Sequence, residues 1–138
     1  MSKLSGSCLC GKIKLSIDQH DHLLSACHCN TCRKWNAGPL MTIAYKGEIS
    51  FENKDSVKLY QSSEWAERGF CSECGTHLFY HLKNTDQYYI AAWVMDESIP
   101  YHFNTQVYID KKPDCYDFAN ETIKLTEDDI LKMISSHN

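Results

Sequence analysis

Seven of the eight cysteines in this chain stand in three tight groups: CLCG at Cys8 and Cys10, CHCNTC at Cys27, Cys29 and Cys32, and CSECG at Cys71 and Cys74. Cys115 stands apart. Thiols grouped this closely pair as disulfides, pack as small apolar side chains, or ligate a metal. Compartment decides among these outcomes. The opening MSKLSGSCLCG has one lysine and no apolar stretch behind it, so no secretory signal is read there, and a cytoplasmic, reducing setting is expected. The six-residue apolar run from Ile90 to Met95 falls far short of the roughly 20 residues that cross a bilayer, so no membrane partner is expected. Lys+Arg 14 against Asp+Glu 18 leaves a net charge of -4. Such a chain has no cationic field or basic arm to displace counterions from phosphates, which argues against a nucleic-acid partner.

Structural zinc takes four tetrahedral thiolate or imidazole ligands, and two short turns that each present two sulfurs supply them. Cys8 with Cys10 and Cys71 with Cys74 are two such turns, each followed at once by glycine, Gly11 and Gly75. One ion would then join distant parts of the chain and contribute folding energy directly. Two disulfides, or four separate buried thiols, are the competing outcomes. A redox role for CSEC alone lacks the βαβ surroundings such chemistry uses.

CHCNTC offers three sulfurs within six residues, and three ligands leave one position for water or substrate, as in catalytic zinc sites. Cys27 and Cys29 lie on one side of an extended segment, and Cys32 comes round from a first helical turn. The start of that helix favours thiolate. His28, His77, Cys115 or a carboxylate would instead supply a fourth ligand and make a second structural clamp. Arg33 and Lys34 follow Cys32 and either offset thiolate charge, hold a substrate carboxylate, or stay solvated. Cys115 reads as a lone thiol rather than a ligand.

With 138 residues, 43% hydrophobic and 23% charged, the chain suits one compact domain over residues 1–138. In KIKLSI, Ile13, Leu15 and Ile17 alternate with polar residues, the period of a strand with one buried face. Further β-branched and aromatic runs predict strands at Pro39–Tyr45, Val57–Tyr60, His77–Leu82, Tyr88–Val94 and Thr105–Ile109. Many short strands imply a mainly β sandwich or open barrel. Thr126 before Glu127, Asp128 and Asp129 predicts a capped C-terminal helix carrying Ile130, Leu131 and Ile134 on one stripe. A shorter helix is expected from a cap at Asn30 through Arg33 and Trp35, stopped by Gly38-Pro39. The three tryptophans are expected in the core or on a pocket wall.

SGSCLCGKIKLSI, SACHCNTCRKW, FCSECGTHLFY and PYHFN, in this order, resemble the glutathione-dependent formaldehyde-activating enzyme family, which includes the centromere protein V domain. The resemblance runs from about Leu4 to Phe118 and implies a β-tent built around a structural zinc, related to the Rab-binding exchange chaperones. It places the structural zinc on Cys8, Cys10, Cys71 and Cys74, and a second, catalytic zinc on Cys27, Cys29 and Cys32. It further implies a carbon-sulfur lyase that joins glutathione and formaldehyde as S-hydroxymethylglutathione. The chain departs from the family near its end, where KKPDCYDF has Cys115 and Tyr116 in a region that often carries tryptophan.

Two functions follow. As an enzyme, the chain would make or cleave a thiol-aldehyde adduct at the three-sulfur zinc, with Arg33 orienting the substrate. As a non-catalytic, zinc-stabilised module, it would hold both ions for shape and bind a protein partner.

Overall fold

The computed structural model describes residues 3–18, 22–96 and 98–135. In chain order its elements are β1 (Lys3–Ser7), β2 (Lys14–Asp18), β3 (Leu23–Cys27), helix α1 (Asn30–Asn36), β4 (Leu40–Lys46), β5 (Ser50–Glu52) and β6 (Val57–Gln61). They continue as β7 (Ala66–Cys71), β8 (His77–Leu82), β9 (Gln87–Ala91), β10 (His102–Val107), β11 (Ile123–Leu125) and helix α2 (Glu127–Ser135). The protein is mainly β, as its alternating and β-branched runs imply. The chain forms two compact units, one of Met1–His22 with Thr42–Tyr101 and one of Leu23–Met41 with His102–Asn138.

In the first unit, β2 pairs antiparallel with β1 and β5. A run of antiparallel neighbours, β4-β9-β8-β7-β6, belongs to a second, eight-stranded sheet. Ile13, Leu15 and Ile17 are buried while Lys14 and Asp18 face solvent, so the two-residue period of KIKLSI is the one the fold uses. Ile43, Leu78 and Ile90 are fully buried. A Cβ on Gly69 would lie 2.4 Å from the Phe79 ring that faces it across β7 and β8. Only glycine leaves room for that ring. Gly6 bridges to Met95, and a Cβ there would sit 2.3 Å from the Val94 carbonyl oxygen.

The strand expected over Tyr88–Val94 ends at Ala91, and Ala92–Val94 form a 3-10 turn. Ala92 and Val94 point inward from that turn and Met95 closes on Gly6, so the apolar run packs by turning rather than by extending the ladder. Trp93 lines a groove of about 960 Å³ in this unit, as a pocket-wall residue should. Trp65 is 63% exposed and so is not a core residue.

In the second unit, β10 pairs in parallel with both β3 and β11. The strand expected over Thr105–Ile109 starts earlier, at His102, and stops at Val107. Tyr108 adopts φ 56°, a left-handed conformation that ends the ladder, and Ile109–Lys111 coil into a 3-10 turn. Helix α2 appears where Thr126 and its acidic turn place it. The Asp129 amide donates to Thr126 Oγ1 at 3.1 Å, and Asp129 Oδ2 accepts from the Thr126 amide at 2.9 Å, a reciprocal cap. Among the described residues, no helix is long and apolar enough to cross a membrane.

Candidate metal centres

Each unit holds one cysteine cluster. In the first, the sulfurs of Cys8, Cys10, Cys71 and Cys74 all lie within 4.8 Å of one another. Cys8 Sγ is 3.5 Å from Cys10 Sγ, which is 3.8 Å from Cys71 Sγ. A tetrahedron with zinc-sulfur bonds of about 2.3 Å has edges of about 3.8 Å, so the donor set and spacing fit such an ion. None of the eight cysteines is disulfide-bonded, which removes the disulfide alternative for this structure.

The two half-sites are built alike. The Cys8 amide donates to the Ile13 carbonyl at 3.1 Å and the Cys71 amide to the Thr76 carbonyl at 3.0 Å. The amides of Gly11 and Gly75 return to the carbonyls of Cys8 and Cys71, and both glycines sit at left-handed φ, 80° and 78°. These turns aim further amides at sulfur: Ile13 N–H donates to Cys8 Sγ at 3.3 Å and Glu73 N–H to Cys71 Sγ at 3.4 Å. Thr76 joins the halves, since its hydroxyl accepts from the Leu9 amide at 3.1 Å and lies 3.1 Å from Cys74 Sγ.

Charge in the quartet is unevenly held. The Thr76 hydroxyl and the amides of Thr76 and Cys10 bring Cys74 down to about 5. At Cys8 burial opposes ionisation, but the Ile13 amide and neighbouring sulfurs outweigh it and lower its pKa. At Cys10 the Lys12 amide favours thiolate, yet desolvation and the three adjacent sulfurs prevail and push it up to about 12. Four sulfurs this close carry full negative charge only with a cation among them.

The second unit brings together Cys27, Cys29 and Cys32, again within 4.8 Å of one another. Cys27 ends β3, in register with Val107 of β10. Cys32 is the buried residue of α1, so that short helix serves to turn one sulfur back towards the other two. The cap of α1 is Cys29 and not Asn30 as expected: Cys29 is extended, and its Sγ accepts from the Cys32 amide at 3.3 Å. Sulfur takes the place an asparagine oxygen would fill. The helix ends through Ala37 at φ 58°, just before Gly38. The adjacent sulfurs of Cys29 and Cys32, with burial added, drive the Cys27 pKa upward, so this trio too needs a cation to ionise fully.

His28 is not a fourth ligand. Leu24, Ala26 and His28 alternate inward along β3 and beyond it, and His28 is fully buried on the side away from its cysteine neighbours. Its Nε2 lies 2.8 Å from Gln106 Oε1 and its Nδ1 3.2 Å from the Tyr116 hydroxyl. Burial, then the charges of Lys112 and Arg33, lowers its pKa, in keeping with a neutral ring. His77 and Cys115 likewise belong to neither sulfur cluster, and Cys115 is exposed.

Arg33 is half-buried and donates from Nε to the His28 carbonyl at 2.9 Å. Sequence reading passed over Tyr108, which directly follows Val107, the β10 partner of Cys27; burial and then the charges of Cys27 and Cys29 raise its pKa. No spacing rule marks it, because it arrives from β10 by parallel pairing.

A mainly β chain with a four-sulfur and a separate three-sulfur cluster, each able to hold a metal ion, defines a class of cysteine-ligated β protein. Within that class it belongs to the glutathione-dependent formaldehyde-activating enzyme family, whose model matches residues 3–111. It is 42% identical over 135 residues to uncharacterized lyase C29B12.13 of Schizosaccharomyces pombe, covering 97% of this chain and 98% of that protein. A crystal structure of a Rhodobacter sphaeroides protein shares the fold at a TM-score of 0.60 and 15% identity, covering 88% of this chain and 99% of the other.

Proposed function

We propose that the protein is a zinc-dependent carbon-sulfur lyase that forms or cleaves a thiol-aldehyde adduct such as S-hydroxymethylglutathione, working as one domain over residues 1–138 in the cytoplasm. The observation that carries the reading is the trio. Among the described residues, no fourth His, Cys, Asp or Glu joins its three sulfurs, whereas the quartet is complete. The family description names glutathione and formaldehyde, and the Schizosaccharomyces pombe relative is called a lyase; both support this chemistry.

Zinc at the trio would supply Lewis acidity and a charge that keeps an incoming thiol ionised. Cys27, Cys29 and Cys32 would hold it, and Cys8, Cys10, Cys71 and Cys74 would hold a second, structural ion. Arg33, anchored through Nε at the His28 carbonyl, would receive a substrate carboxylate on its terminal nitrogens. In the forming direction a carbon-sulfur bond is made and the thiol proton ends on the aldehyde oxygen; cleavage reverses both transfers.

Metal analysis with a screen of thiol and aldehyde pairs tests the reading. Two zinc ions per chain and adduct formation above background are expected, with Cys29→Ser bringing the rate down to background while the protein stays folded. A Cys29→Ser variant as active as the parent overturns the proposal. Two tightly held ions with no exchangeable ligand and no rate on any pair favour the non-catalytic interaction module.

A further inference from the structure

We propose that His28 is a positioning residue of the trio, and that the hydrogen-bonded line Tyr116–His28–Gln106–Thr122 fixes the backbone between Cys27 and Cys29 and with it the spread of their sulfurs. The inference rests on reading the trio as a metal site. Every polar group of His28 is tied down. Its amide donates to the Val107 carbonyl at 3.1 Å, and its carbonyl accepts from Arg33 Nε at 2.9 Å. Its ring nitrogens meet Gln106 and Tyr116. A residue held at four points leaves its two cysteine neighbours little backbone freedom, and second-layer contacts of this kind set how firmly a site grips metal.

The direction of the line follows from Gln106, which is 2% exposed, donates through Nε2 to Thr122 Oγ1 at 2.9 Å and presents to His28 its Oε1, an atom that can only accept. Nε2 of His28 therefore carries the proton, and Nδ1 accepts from the Tyr116 hydroxyl. Lys112 seats Tyr116 in turn. Its ammonium donates to the carbonyls of Pro113 and Tyr116, pairs with Asp117 at 2.8 Å, and stands over the Tyr116 ring. The rings of Tyr116 and Phe118 close on His28 at 6.2 and 5.9 Å.

Alkylation of the isolated protein by iodoacetamide, resolved cysteine by cysteine by peptide mass spectrometry, tests this beside a metal count. Tyr116→Phe is expected to speed alkylation of Cys27, Cys29 and Cys32 by about tenfold and to leave the quartet and the melting temperature unchanged. Gln106→Asn should act in the same direction. Asp129→Ala, which removes the α2 cap in the same unit, should leave the trio alone. Unchanged trio rates in both network variants, or an equal rise after Asp129→Ala, overturn the proposal. If the parent holds only one metal ion per chain, the metal reading of the trio falls, and the same alkylation comparison still decides the role of His28.

Discussion

The quartet is drawn from turns 61 residues apart, Cys10 to Cys71, whereas the trio comes from the single stretch Cys27–Cys32. Closing a long loop costs chain entropy that a bound ion would have to offset, so an ion there would be part of folding itself. A site gathered from six neighbouring residues closes almost nothing. It can gain or lose an ion with the scaffold intact, which suits a centre that exchanges ligands. The two also differ in how sulfur is supported. Matched turns with left-handed glycines serve the quartet, while the trio uses a strand end and a seven-residue helix.

Breaking the quartet should have the largest effect. Structural zinc contributes about 10–16 kcal/mol to small sites, comparable with the whole stability of a domain, about 5–15 kcal/mol. Cys71→Ser is therefore expected to abolish cooperative unfolding by circular dichroism. A melting curve within a few degrees of the parent would erase the contrast. Graded chelation should separate the clusters next: the first ion leaves with secondary structure retained, and the second leaves only as the fold is lost. Simultaneous loss of both would show that the trio is no more labile than the quartet.

Thr76→Val removes the hydroxyl that spans the two half-sites and should cost about 1–2 kcal/mol in denaturant unfolding, with metal retention at the trio unchanged. The smallest effect belongs to Asp129, whose pKa is lowered by the Thr126 amide and hydroxyl. A carboxyl depressed in the folded state stabilises above its unfolded pKa, and that contribution fades as pH falls through the folded value. The cap on α2 should hold at neutral pH and weaken only in acid, below about pH 4. Asp129→Asn should flatten that acid limb in a pH titration of stability and leave both clusters untouched.

Much of the scaffold is legible where burial alone sets the pattern. Ile13, Leu15 and Ile17 face the core by strict alternation, and β8 spans the residues its composition marks. The strand β7 is hidden in the sequence because it carries Glu67, Arg68 and Gly69. Arg68 is nonetheless 3% exposed, with its guanidinium 5.0 Å over the Tyr80 ring and Nε on Ser62. A buried cation breaks any hydrophobic period. Cysteine spacing marks the trio and each half of the quartet, since each turn is local, and the matching glycines after Cys10 and Cys74 mark the two halves as partners. The same two-residue period that puts Cys27 and Cys29 on one side already sends His28 to the other. Tyr108 follows the β10 residue that pairs with Cys27, and Gln106 and Tyr116 meet the His28 ring, through parallel pairing and a distant loop that no local pattern records.

One atom of the trio has a second duty. Cys29 Sγ is where α1 begins, by accepting the Cys32 amide. Oxidising or alkylating that sulfur would weaken its capacity as an acceptor, so the helix would fray from its first turn and Cys32 would swing out with it. Damage at a single thiol would thus dismantle two corners of the three-cornered site at once.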